Sequence, residues 1–344
     1  MKPKFNYQKV CSDLLKDLPQ RTSQILERRF GLKGGERQTL EAIGQDFGLT
    51  RERVRQIVRE GISEIQPKIK KQEKIFKHFD KTLKNFGDLK KEDALLSFLG
   101  GENNQNRVFF LLTLNNDFER FAEDDSFYSF WARNPKAVQD VKKTVSLVLN
   151  KFQEDKTPIS LIELYNRQKG EIRASLAADI GKNVFSSYIE TSKEIQKNPE
   201  DKYGLKNWLE INPKGIKDKA YLVLRKEGKP MHFTQVAAYI EKLPFLAKRR
   251  IHLATVHNEL IKDSRFVLVG RGLYALKEWG YEPGVVKDII LKVLREAPSP
   301  LSKEEIIKRV SEQRMIKTNT IILNLQDSSA FLRDDSGKYK IREA

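Results

Sequence analysis

The stretch TLEAIGQDFGLTRERVRQIVREGISEI, Thr39 to Ile65, decides how this chain is read. Leu40, Ile43 and Phe47 recur at i, i+3 and i+7, which is one face of a helix. Thr39 is placed to cap its start, and Glu36 and Glu41 lie near its positive end. Gly44 sits on the apolar face, where glycine costs about 1 kcal/mol relative to alanine and marks the close approach of another backbone. Gly48 ends the helix, because glycine accepts the left-handed conformation of such a stop. Thr50 caps the next helix, with Arg53 where a capping box would carry Glu. Val54, Ile57, Ile62 and Ile65 form its apolar stripe, and the opposite face carries Arg51, Glu52, Arg55, Gln56 and Arg59. Those side chains suit nucleic acid: Arg binds guanine at two points, Gln does so with adenine, and Glu accepts from the cytosine amino group. The pattern predicts a helix-turn-helix whose second helix enters a major groove by its N-terminal part. The alternative, a solvated charged helix in an ordinary bundle, fits less well because the buried glycine, the glycine stop and the caps occur together.

Composition agrees with a polyanionic partner. Of 344 residues, 64 are Lys or Arg and 47 Asp or Glu, a net charge of +17. Such a field attracts nucleic acid or an anionic membrane surface. No run of about 18 apolar residues is present, so no membrane span is expected. The start, MKPKFNYQKVCSDLL, has no apolar segment of signal-peptide type. The single Cys11 excludes an intramolecular disulfide, and with four scattered His no metal site and no cofactor are expected. Walker A, dinucleotide and HExxH patterns are missing, and GLKGGE, Gly31 to Glu36, reads as a helix–helix loop because no strand precedes it. The carboxylate–lysine tokens EDK (Glu154–Lys156) and PEDK (Pro199–Lys202) are expected by chance at 32% charged residues and are read as turns. The expectation is a cytoplasmic, nucleoid-associated protein that is not an enzyme.

The segment Leu18 to Ile62, LPQRTSQILERRFGLKGGERQTLEAIGQDFGLTRERVRQIVREGI, resembles region 4 of primary-type bacterial sigma factors through RRFGL, TLEAIG and TRERVRQI. The likeness covers about an eighth of the chain. It implies reading of the promoter −35 element in double-stranded DNA and docking on the β flap of the RNA polymerase core. Carried over by position, Arg51, Glu52 and Gln56 face bases, while Arg21, Arg53 and Arg55 mainly hold phosphates. Leu40 and Glu41 approach the backbone, and Thr50 and Arg59 complete the DNA-facing set. Two departures stand out. The second half of the recognition helix has Glu60, Gly61 and Glu64 where the family continues with Lys and Arg, and its basic run is delayed to Lys68–Lys71. No stretch resembles the sigma module that melts the −10 element.

The remainder repeats a plan of three helices and a closing hairpin, which is a winged helix. The clearest copy, 216–283, closes with Phe266, Val267 and Val269, a turn at Gly270–Gly272, and a strand reading Tyr274, Leu276 and Trp279. Copies follow at 284–344, with a turn at DDSG, and precede at about 137–212; a weaker one occupies 68–135. The closing aromatics FYSFW, KYGLKNW, LYALKEW and KYKI are read as core, because units of about 65 residues must spend their aromatics inward. The 216–281 copy resembles the HARE-HTH family, which includes the delta subunit of some bacterial RNA polymerases and implies a transcription- or DNA-associated adaptor. The cluster Lys248 to His252 before its third helix is a candidate phosphate contact, or equally a solvated loop.

The expected fold is thus mainly α with small β-wings: a helix-turn-helix domain (1–67) followed by tandem winged-helix repeats at 68–135, 136–213, 214–283 and 284–344. The expected function is a sigma-like DNA-binding transcription factor. The alternatives are a polymerase-independent regulator or genome-organising protein, and a protein-binding adaptor.

Overall fold

The computed structural model describes residues 4–243, 251–281, 286–313 and 318–342. They fall into two compact units, Met1–Asn207 and Trp208–Ala344. The first unit opens with four helices, α1 (Tyr7–Leu15), α2 (Gln20–Phe30), α3 (Leu40–Phe47) and α4 (Arg51–Ile65). A 3-10 stretch, Gln66–Gln72, leads directly into α5 (Glu73–Asn85). Then come β1 (Leu89–Lys91), α6 (Glu92–Gly100), α7 (Gln105–Leu114), β2 (Glu119–Phe121) and β3 (Phe130–Ala132). The antiparallel sheet runs β1-β3-β2, with Ala132 opposite both Leu89 and Glu119. Helix, strand, two helices and a strand pair define a winged helix, and the segment whose repeat signal is weakest therefore carries the complete plan.

The next winged helix consists of α8 (Pro135–Asp155), β4 (Ile159–Ser160), α9 (Leu161–Leu176), α10 (Lys182–Ile189), β5 (Ile195–Lys197) and β6 (Lys202–Leu205). Its sheet order is β4-β6-β5. Pro135 occupies the first helical position of α8, where its missing N–H costs nothing, and Asn134 accepts from the Ala137 amide at 2.9 Å. One of the carboxylate–lysine tokens is placed differently from expectation. Glu154 and Asp155 end α8 instead of lying in a turn, and each is ion-paired, Glu154 to Lys151 at 3.1 Å and Asp155 to Arg167 at 3.0 Å. The other, Pro199–Lys202, does lie at the β5–β6 turn, where Asp201 takes a left-handed φ of 59°.

In the first unit the helix-turn-helix and the winged helix after it share one apolar core. Leu14, Leu26, Phe30 and Ile65 bury together with Phe79, Phe110, Leu111 and Trp131. The Tyr7 hydroxyl donates to the Leu99 carbonyl at 3.1 Å across this seam. Inside the winged helix, the buried Glu92 carboxylate accepts from Arg120 Nε at 2.5 Å, Arg120 Nη2 at 3.0 Å and Trp131 Nε1 at 3.0 Å, so its lone pairs are satisfied. Cys11 lies in the shared core, and burial pushes its thiol up to about 12, with Arg107 acting weakly in the other direction. Thiol reagents at neutral pH are expected to label Cys11 no faster than the chain unfolds. The raised value has a sign: stability is full below the ordinary thiol range and is lost as pH rises toward about 12. Rapid labelling of the native protein at pH 7 would contradict this placement.

The second unit begins with α11 (Gly215–Glu227), β7 (Met231–His232), α12 (Phe233–Glu241), α13 (Leu253–Lys262), β8 (Phe266–Gly270) and β9 (Leu273–Leu276), in sheet order β7-β9-β8. Tyr274 and Leu276 are buried in the strand as expected, but Trp279 is not part of it: Lys277–Trp279 form a 3-10 turn. The last set is α14 (Val286–Glu296), α15 (Lys303–Gln313), α16 (Thr318–Leu325), β10 (Phe331–Arg333) and β11 (Tyr339–Ile341). A bridge between Leu301 and Tyr339 stands where the earlier copies have their first strand. The DDSG turn joins β10 to β11, with Gly337 at a φ of 81°. Lys248, Arg249 and Arg250 of the candidate phosphate cluster, and the boundary proline Pro283, lie outside the described residues. The chain is mainly helical with small β-wings, and no described helix is long and apolar enough to cross a membrane.

Candidate nucleic-acid interface

Local chemistry positions α3 and α4 as their residues dictate. The Thr39 hydroxyl accepts from the Ala42 amide at 3.1 Å and the Thr50 hydroxyl from the Arg53 amide at 3.2 Å, satisfying orphan donors at both helix starts. Gly48 stops α3 in the left-handed region, φ 64°. Ile25, Ile43, Val54 and Ile57 form the small core between α2, α3 and α4. Gly44 is where the turn presses on α3, since a Cβ there would stand 2.5 Å from the Leu49 carbonyl oxygen. Gly44→Ala is expected to cost about 1–3 kcal/mol, because backbone must move to admit the methyl group. An unchanged melting temperature would contradict the close approach.

Gly61, one of the departures from the family's basic pattern, has a packing role. A Cβ there would lie 3.0 Å from Leu26 and Thr22 side-chain atoms, so Gly61 marks the crossing of α4 over α2. Its signal is present in the sequence, one buried turn ahead of Ile65, but polar neighbours obscure it.

Arg51, Glu52, Arg53, Arg55, Gln56 and Arg59 are all exposed along α4. Thr50 is exposed with its hydroxyl engaged in the cap, Glu41 is exposed in the first turn of α3, and Leu40 is half-buried against the core. Arg55 grips Glu52 through two hydrogen bonds of 2.8 and 2.7 Å. That grip holds the Glu52 carboxyl below its usual range and the Arg55 guanidinium above its own. Arg53 donates to the Gln56 side-chain oxygen at 3.1 Å and lies 3.9 Å from Glu60. The two acceptors suited to base edges are therefore each held by a neighbouring arginine. Among the described residues Arg51 and Arg59 have no hydrogen-bonded or ion-paired partner. Arg21 donates to the Phe47 carbonyl at 2.8 Å, so it clamps the end of α3. Beyond Arg59 the exposed face turns acidic and neutral with Glu60, Ser63 and Glu64.

A winged helix ordinarily addresses nucleic acid with its third helix, and the four copies differ sharply there. Helix α7 packs on α1 and α2. Asn106 donates to the Gly35 carbonyl at 2.9 Å, and the Phe110 ring lies 5.0 Å from that of Phe30. Helix α10 packs on the preceding winged helix: Ser187 donates to the Leu89 carbonyl at 2.7 Å and Tyr188 to that of Gly87 at 2.9 Å. Lys90 meets Glu190 at 2.8 Å beside them. Both helices are spent inside the chain. Helix α13 is open but exposes Leu253 (48%) and Ile261 (62%), with a single lysine at its end. Helix α16, TNTIILNL, has no charged residue and exposes Leu323 (64%). Among these helices α4 alone joins exposure to a cationic, hydrogen-bonding face.

Comparison with known proteins falls on the same segments. Residues 14–66 match the family model described as Sigma-70, region 4. Residues 215–279 match the HARE-HTH family model, whose description names it a restriction endonuclease HTH domain. The chain is 43% identical over 54 residues to the RNA polymerase principal sigma factor HrdD of Streptomyces viridifaciens and 41% identical over 54 residues to that of Streptomyces griseus. Each alignment covers 16% of this chain and 16% of the relative, so the likeness is one module in otherwise different proteins.

Proposed function

We propose that the chain binds duplex DNA through the N-terminal half of α4 and acts in transcription as a sigma-like factor. The observation that carries this reading is the exposed, arginine-rich face of α4, held by two helix caps and a glycine turn in a segment matching sigma region 4. Glu52 and Gln56 supply base contacts, and Arg51, Arg53, Arg55 and Arg59 supply phosphate or guanine contacts. The preferred site is a −35-like element. The winged helices after it serve as scaffold and protein-facing modules rather than as further readers, which favours a single base-reading element per chain. Titration of a labelled duplex at several salt concentrations tests the binding. Log affinity is expected to fall linearly with log salt, with a slope reflecting about four or more phosphate contacts; a flat response, or no binding at low salt, contradicts the reading.

Contact with RNA polymerase follows from the printed names of the relatives, both principal sigma factors of that enzyme. The exposed large apolar side chains of the described residues lie in the winged helices, and none lies in residues 4–67. The helix-turn-helix thus has no open apolar patch of the kind protein partners use. We place the polymerase contact on the winged helices rather than on a flap-binding face of the first module. Retention of polymerase core by the immobilised chain, lost when Leu253 and Ile261 are changed to Ser, is the expected result. Core binding that survives this change and fails with substitutions in residues 18–65 restores flap docking.

A further inference from the structure

We infer that the lysines of the Gln66–Gln72 stretch and the start of α5 form a second DNA-contacting surface, gripping the phosphate backbone that flanks the site read by α4. The inference rests on that DNA-binding role of α4. Lys70, Lys74, Lys77 and Lys81 follow at i, i+4, i+7 and i+11, and all are exposed. Helix α1 packs beside the 3-10 stretch. Between them lies a groove of about 500 Å³ whose rim carries Lys9, Lys70, Lys71 and Lys74, with Asp13 as the carboxylate beside them.

Charge in this region is unbalanced. Residues 4–17 and 66–85 hold ten lysines and four carboxylates. Three of those carboxylates are already taken: Asp17 by Lys68 at 3.3 Å, Glu73 by Lys77 at 2.8 Å, and Asp80 by Lys84 at 2.9 Å. Lys9, Lys70, Lys71, Lys74 and Lys81 have no ion-pair partner among the described residues. His78, on the flank of α5, is held below its usual range by burial and then by Lys4 and Lys81, which registers the same positive field.

Position selects the ligand. The 3-10 stretch begins at the residue after α4 ends. Fifteen helical residues at about 1.5 Å each put it roughly 20 Å from Arg51, about six base pairs along a duplex. Lysine is a flexible point charge without the planar fork that reads base edges, so the contact is with phosphates and carries no sequence preference. The arrangement also accounts for Glu60 and Glu64, since cations missing from the second half of α4 reappear one element later.

The test uses the full chain and a 30-base-pair duplex carrying its selected sequence at the centre, or a random sequence if none is selected. Three proteins are compared with wild type: K70Q/K71Q/K74Q, K136Q/K142Q/K143Q on α8 with the same change in net charge, and Glu52→Ala. The first is expected to lose roughly tenfold in affinity near 0.1 M salt and to lower the salt slope by about 2 to 3, with base preference intact. The α8 variant is expected to leave the slope within about 0.5 of wild type. Equal slopes for the two lysine variants overturn the inference, because net charge alone then explains the loss. Displacement of the duplex by polyglutamate as effectively as by DNA overturns it in favour of an acidic protein partner. Should Glu52→Ala leave preference unchanged while K70Q/K71Q/K74Q lowers the slope, the α4 reading fails and the lysine surface stands.

Discussion

Arg55→Ala is expected to weaken binding to every duplex about tenfold and to lower the salt slope by about one. The effect exceeds that of Arg59→Ala for a reason visible in the pairing. Arg55 neutralises Glu52 through two hydrogen bonds, so its removal deletes a cation and also leaves a bare carboxylate facing phosphates. Glu52→Ala has the opposite character. It frees the Arg55 guanidinium, which is expected to raise affinity for arbitrary DNA while flattening base preference. The double variant Glu52→Ala/Arg55→Ala is then expected to bind more tightly than the two single effects summed, because neither group is left unmatched. Isothermal or anisotropy titration of the four proteins against one duplex decides this. Additive losses would mean that the pair does not persist in solution or lies off the interface.

Phe110→Ala is expected to destabilise the first unit by about 3–5 kcal/mol, the range for truncating a buried aromatic. Phe110 is fully buried in a core contributed by α1, α2, α4, α5 and α7, with its ring 5.0 Å from Phe30. The consequence reaches beyond one domain. Since the helix-turn-helix and the first winged helix bury their apolar surfaces together, both are expected to melt in one transition at the lowered temperature. Followed by amide exchange, protection in α2 and α4 falls together with protection in α7. If α2 and α4 keep their protection while α7 loses it, the two modules are independent and the shared core is not cooperative. A fragment ending near residue 67 would leave Leu14, Leu26 and Phe30 uncovered, so the DNA-binding element is best tested in the full chain.

The elements most legible in the sequence are those with caps and one-sided burial. Thr39, Gly48 and Thr50 mark their boundaries by chemistry that acts within four residues, and the structure places all three at those helix ends. The winged helix of 216–281 is equally plain, because its strands alternate and its turn is glycine-rich. The copy at 68–135 is faint for a physical reason. Helix α7, QNRVFFLLTL, is apolar around most of its circumference because it is covered by its own domain and by α1 and α2, so it lacks an amphipathic period. That same double burial is why the sequence does not say whether the winged helices touch DNA or protein. Burial of α10 on the β1 edge is also hidden, since Ser187 and Tyr188 look like ordinary surface residues until their carbonyl partners about a hundred positions away are known. Trp279 reads as strand because its aromatic spacing continues past Leu276, where the chain has already curled into a 3-10 turn.

The central claim is that one face of α4 reads DNA. Selection of bound sequences from a random duplex pool by the full chain, at near-physiological salt, tests it most directly. The account predicts enrichment of a −35-like hexamer by the wild-type protein and loss of that enrichment with Glu52→Ala. Robust binding with no enriched sequence, or a motif unchanged by Glu52→Ala, would contradict it.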